Sequence, residues 1–144
     1  MKVSIKILST TSWQLIYDET SSRSDVVPEF APATRYLNSV VPGFGAESTS
    51  IVPEGNALVS LSLTFYVTYG SSGSHTVLQS ALASIRQMDA LLGGKKFHLQ
   101  IVQDGEVQYY PNATVDNYHP SWMGATVRHQ FSFRAGRLTN TEPT

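Results

Sequence analysis

Within residues 57–94, ALVSLSLTFYVTYGSSGSHTVLQSALASIRQMDALLGG, the hydrophobic period changes from that of a strand to that of a helix. Val59, Leu61, Leu63, Phe65, Val67 and Tyr69 alternate with Ser60, Ser62, Thr64, Tyr66 and Thr68, so a long strand is apolar on one face and small and polar on the other. Burial of such a face contributes about 1.5 to 3 kcal/mol per side chain, which makes this strand central to a core. After a Gly/Ser run, Leu78, Ala81, Leu82, Ile85, Met88, Leu91 and Leu92 recur at helical spacing, with Ser74 as the expected N-cap and Gly93-Gly94 as the stop. Almost nothing on either element could do chemistry.

The flanking segments read as further strands. Val3, Ile5 and Ile7 alternate with polar residues, and Trp13-Gln14-Leu15-Ile16-Tyr17 resumes the pattern after a short polar run, which predicts an N-terminal hairpin. Phe97, Leu99 and Ile101 open another strand that reaches Asp104-Gly105, a strong hairpin signal. A two-residue loop there pairs Val102 with Val107, and a bulged three-residue loop pairs Ile101 with Tyr109; spacing alone leaves both open. A strand is expected to start at Ala113-Thr114-Val115 and to be interrupted around His119-Pro120-Ser121-Trp122. The last strand places Ala125, Val127, His129, Phe131 and Phe133 on one face and Arg128 and Arg134 on the other. Residues 139–144 are polar and expected to fray. The predicted fold class is mainly β with one α-helix: an antiparallel sheet closed as a barrel or sandwich, with the helix at its side or open end.

At 144 residues the chain is expected to form one domain, 1–144. Cysteine is absent, so packing alone holds it, and neither a disulfide framework nor a thiolate metal site is available. No apolar run approaches the ~20 residues needed to cross a bilayer, and the N-terminus alternates where a signal peptide would be continuously apolar, so a soluble, unprocessed chain without a membrane partner is expected. Only 15% of residues are charged, against about 25% in an average domain, and 31 Ser and Thr take their place.

Residues 18–56 read as a long loop, with prolines at 28, 32, 42 and 53. Its apolar members, among them Phe30, Tyr36, Leu37 and Phe44, are too many for a solvated linker, so it is expected to lie on something, such as a neighbouring subunit. The loop holds six acids against two bases, whereas residues 118–141 hold three arginines and no acid. Complementary charge of this kind sets register between partners, which makes Phe30, Tyr36, Leu37, Phe44, Arg128 and Arg134 the candidate subunit interface.

Catalytic, metal and cofactor chemistry find little support. His75, His98, His119 and His129 show no ligand spacing, so no metal is expected. The Gly/Ser run before the helix lacks the lysine and spacing of a phosphate-binding loop, no nucleophile-elbow motif is present, and no cofactor is implied. A net charge of −1 argues against a dedicated nucleic-acid binder.

Four segments taken together resemble the tail-tube fold of tailed bacteriophages: the strand ALVSLSLTFYVTYGS, the helix HTVLQSALASIRQMDALLGG, the hairpin KKFHLQIVQDGEVQYYPNATV and the terminal SWMGATVRHQFSFRAGRL. This fold is shared by tube subunits, the N-terminal domain of distal tail proteins and tube-like proteins of contractile injection systems. Ala113, Val115 and Gly124 fall where that pattern places a small residue before a valine and a glycine ahead of the last strand. The resemblance covers about residues 57–138. It implies a non-enzymatic structural protein of the virion tail, soluble in the host cytoplasm before assembly. Such proteins form rings, usually hexameric, that meet other tail proteins and surround a channel through which DNA passes without sequence-specific binding. It also implies that the long strand supplies the channel wall, with the helix on the wall's outer side and the long early loop reaching the next ring. A second, carbohydrate-binding-like domain, general in distal tail proteins, has no room here. Two other readings remain at this stage: an isolated ligand- or carbohydrate-binding β-barrel presenting Trp13, Trp122, Tyr109 and Tyr110, and a small barrel enzyme using His119 or His129 as base.

Overall fold

The computed structural model describes the chain except residues 37, 43–48, 54–57 and 72–75, and gives the backbone alone at 35, 38–42, 49–53 and 58. The elements are β1 (Lys2–Ile7), β2 (Gln14–Asp18), β3 (Glu29–Arg35), β4 (Asn38–Pro42), β5 (Thr49–Pro53), β6 (Leu58–Thr68), α1 (Val77–Leu92), β7 (Phe97–Gln103), β8 (Glu106–Met123) and β9 (Thr126–Ala135). Seven strands form one antiparallel sheet in the order β2-β1-β7-β8-β9-β6-β3, and β4 and β5 pair separately.

The 18-residue β8 joins the two halves of the sheet. Its first part pairs with β7 and its second part with β9, with register shifts near Phe97/Leu99 and Val115/Asn117. Asn112 adopts a left-handed φ of 53°, a conformation asparagine tolerates, so the chain bends here without leaving the ladder. The strand expected to start at Ala113 thus begins at Glu106, with a bulge where the break was expected, and the interruption expected around His119-Pro120-Ser121-Trp122 is not there: those four residues pair continuously with β9, from Gln130 to Val127. At the other end of β7 the turn is the two-residue one: Val102 pairs with Val107, and Asp104 and Gly105 take φ of 50° and 80°.

The bend folds the two halves against each other. Tyr17 of β2 stacks on Phe65 of β6 at 4.4 Å, Phe97 of β7 meets Phe133 of β9 edge-on at 5.9 Å, and Phe30 of β3 meets Tyr110 of β8 at 5.7 Å. Between them lie Val3, Ile5, Leu99 and Ile101 from one half and Leu61, Leu63, Phe65, Phe131 and Phe133 from the other, all essentially inaccessible. The odd positions of β6 thus face the core, as their alternation predicts.

Helix α1 lies on that same core side. Ala81 and Leu92 are buried, and Met88 and Leu91 pack on the cluster. Its N-cap is Thr76: the hydroxyl accepts from the Gln79 amide, and the Gln79 side chain accepts from the Thr76 amide, a capping box. Ser74, the cap expected from sequence, falls outside the described residues. At the C-terminus the Gly93 N–H donates to Asp89 O, and a Cβ at Gly93 would stand 2.7 Å from that oxygen, so only glycine allows this close approach.

Residues 18–56, expected as a loop, hold three strands. Pro28 and Pro32 masked β3, but Pro32 sits in a strand at the sheet's edge, where a missing donor is tolerated. Residues 139–144, expected to fray, cross the four-stranded half opposite β6. Thr139 bridges Tyr109, Trp13 Nε1 donates to Glu142 at 2.7 Å, and Lys6 Nζ donates to Pro143 O at 2.8 Å and lies over the Trp13 ring. Among the described residues no helix is long and apolar enough to cross a membrane.

Candidate functional site

Two surfaces are left without a structural role in the monomer. The first is the outer face of the β8-β9-β6-β3 half. Register aligns Ala31, Ser62, Ser132 and Asn117 in one cross-strand row, and Glu29, Thr64, Gln130 and His119 in the next. Small, neutral, hydrogen-bonding side chains dominate it, while core and helix occupy the opposite face. Among the described residues β3 leaves one edge of this half unpaired, and a free edge is a template for another strand.

The second surface is the β4–β5 hairpin, an arm that among the described residues pairs only within itself. Tyr36 stands at its base, 67% exposed. Leu37 and Phe44 lie outside the described residues. Phe30, expected at the same interface, is half-buried and spends its ring on Tyr110 and the chain's own core.

The two arginines of the candidate interface have different surroundings. Arg134 Nε donates to Asp116 Oδ2 at 2.7 Å, a partner two residues outside the acid-free window seen in the sequence. Arg128, on the inner strand β9 between Tyr66 of β6 and Ser121 of β8, has a buried Nε with no acceptor, and no carboxylate lies within ion-pair distance of it among the described residues.

Histidine chemistry is structural. His129 is fully buried; its Nδ1 bonds the Tyr118 hydroxyl at 2.7 Å and its Nε2 the Tyr69 hydroxyl at 3.1 Å. Tyr69 is in turn bonded to Ser84 Oγ, tying α1 to β6, β8 and β9. Burial holds the imidazole neutral, with a pKa pushed down to about 4, and raises both tyrosines. With both nitrogens engaged and no exposed surface, His129 has no path to a substrate. His98 is also buried, its Nδ1 accepting from the Asn112 amide, whereas His119 is exposed on the polar face and His75 falls outside the described residues. Among the described residues no three of His, Asp and Glu gather as a metal site would require.

Nor do the four aromatics of the carbohydrate reading share a surface. Tyr110 is in the core, Trp13 and Tyr109 meet at a tilt of 45° with ring centroids 5.7 Å apart beside the terminal segment, and Trp122 is at the far end of β8. The clefts are modest: about 280 Å³ between β2, β6 and α1, and about 400 Å³ beside Tyr36, Tyr110 and Leu138. Neither assembles a nucleophile, base and orienting group.

A sheet folded on itself at one long bent strand, one helix on its core side and a separate hairpin arm define a tail-tube type of fold. No family model and no curated protein matches the sequence. Among solved structures, the chain is similar to the tail of an empty gene transfer agent particle refined with C6 symmetry. The TM-score is 0.52 at 10% identity, over 98% of this chain and 95% of that one. Similarity also extends to the virion of the native gene transfer agent particle (TM-score 0.47, 12% identity, 95% and 93% covered). The SPP1 tail tube gives a TM-score of 0.47 at 18% identity, over 95% of this chain and 73% of that one.

Proposed function

We propose that the chain is a structural, non-catalytic subunit of a phage-type tail, acting by self-association into rings around a channel and by contact with other tail proteins. The observation that carries this reading is the division of labour in the β8-β9-β6-β3 half, which has core and helix on one side, a hydroxyl-rich face with Ser62 exposed on the other, and, among the described residues, an unpaired edge at β3. Rings form when such halves stand side by side, the polar face inward and α1 on the outer side of the wall. Six copies would set about 24 strands abreast, a perimeter of roughly 115 Å and a backbone diameter of roughly 37 Å at 4.8 Å per strand. A bore of that width admits duplex DNA.

The arm reaches the adjacent ring. Tyr36, Leu37 and Phe44 supply most of its contact energy, in keeping with the dominance of a few aromatic anchors at interfaces. Phe30 contributes by fixing β3; Arg134 is held by Asp116 of its own chain, so an acid of the adjacent copy would have to compete with that pair. Exposed ion pairs contribute only ~0.2 to 1 kcal/mol each, so they tune register.

Replacing residues 38–53 with a short flexible linker is the test. Among the described residues β4 and β5 join no other strand, so the shortened chain is expected to fold, with a cooperative thermal melt, yet to sediment as a monomer under conditions where the full chain assembles. Assembly of the shortened chain equal to that of the full one would remove the arm from this account.

A further inference from the structure

We infer that Glu29 of one copy sits beside His119 of the next, and Val26-Val27 of the first against Trp122-Met123 of the second, as the outer edge of β3 meets the free edge in the second half of β8. The inference rests on the assembly reading above and names the side chains that hold one copy to another. Residues 114–123 of β8 pair with β9 on one side, whereas β7 covers only residues 106–113 on the other. Among the described residues β3 and this part of β8 are therefore the two unpaired edges of the β8-β9-β6-β3 half. Three antiparallel pairings separate them, so β3 runs opposite to β8. Copies related by rotation about a ring axis bring the two edges together antiparallel, as the strands within each copy already are.

Charge selects which edges meet. Glu29 and His119 end one cross-strand row through Thr64 and Gln130, and both are exposed. Neither has an ion-pair partner of its own among the described residues. Asp25 adds a second exposed acid beside β3, while residues 117–123 on the β8 edge include a histidine and no acid. Two β3 edges brought together would set acid against acid. The edges therefore meet unlike to unlike, a contact that repeats from copy to copy and closes into a ring instead of stopping at a dimer. Apolar side chains mark the same end of the half. Ser22 O accepts from the Thr68 amide at 2.8 Å and Glu29 pairs with Thr64, which sets Val26 and Val27 between those two rows of β6. Trp122 and Met123 continue the rows of Val67 and Thr68 on the opposite edge. Val27 is 75% and Met123 71% exposed, and Val26 and Trp122 are half-exposed. Exposed apolar groups gathered on two edges of complementary charge mark a contact surface. Pro28, Pro32 and Pro120 withhold donors along these edges, so side chains more than a full ladder specify the joint.

The test is sedimentation of the full chain and of charge variants, each first shown to keep the parent's thermal melt. Glu29→Lys and His119→Glu should each raise the concentration needed for assembly by about tenfold or more, and by less at high salt. A chain carrying both changes should assemble like the parent, because every joint then holds the swapped pair. An equimolar mixture of the two single variants should assemble where neither does alone, since alternating copies set Glu29 beside His119 at one joint and the swapped pair at the next. Val27→Asp should weaken assembly at low and high salt alike. Assembly of either single charge variant equal to the parent's, or a doubly changed chain as weak as the single ones, would overturn the inference. Where the parent forms rings, those results sink this joint alone and leave the assembly reading standing. A parent that stays monomeric at every concentration tried sinks both.

Discussion

Leu63→Asp is expected to leave no folded protein, whereas Ser62→Asp, one residue away, should fold and melt within a few degrees of the parent. Leu63 is inaccessible in the middle of β6, flanked by Phe131 of β9 and Phe30 of β3 in register, so a carboxylate there is buried with no partner. A cost above ~4 to 5 kcal/mol is a large part of the ~5 to 15 kcal/mol that holds a domain together. Ser62 is exposed on the polar face, and its charge stays in water. Thr64 is a poorer control than its even position implied, because only 8% of it is accessible. Thermal melts by circular dichroism decide the matter, and equal tolerance at 62 and 63 would mean that the faces are assigned the wrong way round.

Acid should destabilise the fold well above the range of ordinary carboxylates. His129 titrates at about 4 when folded and near 6.5 when unfolded, so between those values the unfolded chain binds the extra proton and stability falls as pH falls. The full swing is about 3 kcal/mol. His98, also shifted down by burial and by Lys6, acts in the same direction. His129→Gln, which can still bond the tyrosine hydroxyls but cannot titrate, should flatten the dependence by about one proton. Urea midpoints at several values between pH 7 and pH 4 measure this, and an unchanged slope in the variant would show that the buried network does not titrate as its burial requires.

What could be read from the sequence was set by local periodicity. β6, α1 and the Asp104-Gly105 turn are legible because alternation, a helical stripe and a positive-φ pair each act over a few residues. β3 was hidden by Pro32, since a proline argues against a strand unless its place at an edge is known, and that place is a property of the whole sheet. The prolines that end β4 and β5 hid the arm in the same way. β8 was expected to start only at Ala113 and to break around His119-Pro120-Ser121-Trp122, because prolines at 111 and 120 interrupt local alternation, whereas pairing with β7 and β9 carries one strand through both. The candidate site divides similarly. The polar face of β6 shows in its Ser/Thr alternation, but the Arg134–Asp116 pair, the unpartnered Nε of Arg128 and the inward turn of Phe30 depend on register between strands. The contact of Glu142 with Trp13 joins residues 129 apart in sequence, beyond any local signal.

Cryo-electron microscopy of the purified full chain under assembly conditions tests the central claim most directly. The account predicts closed rings, single or stacked, whose channel wall is made of β3, β6, β9 and β8 with Ser62, Ser132 and Arg128 facing the bore and α1 on the outside. A chain that stays monomeric at every concentration and ionic strength tried, or rings with α1 lining the bore, would contradict it.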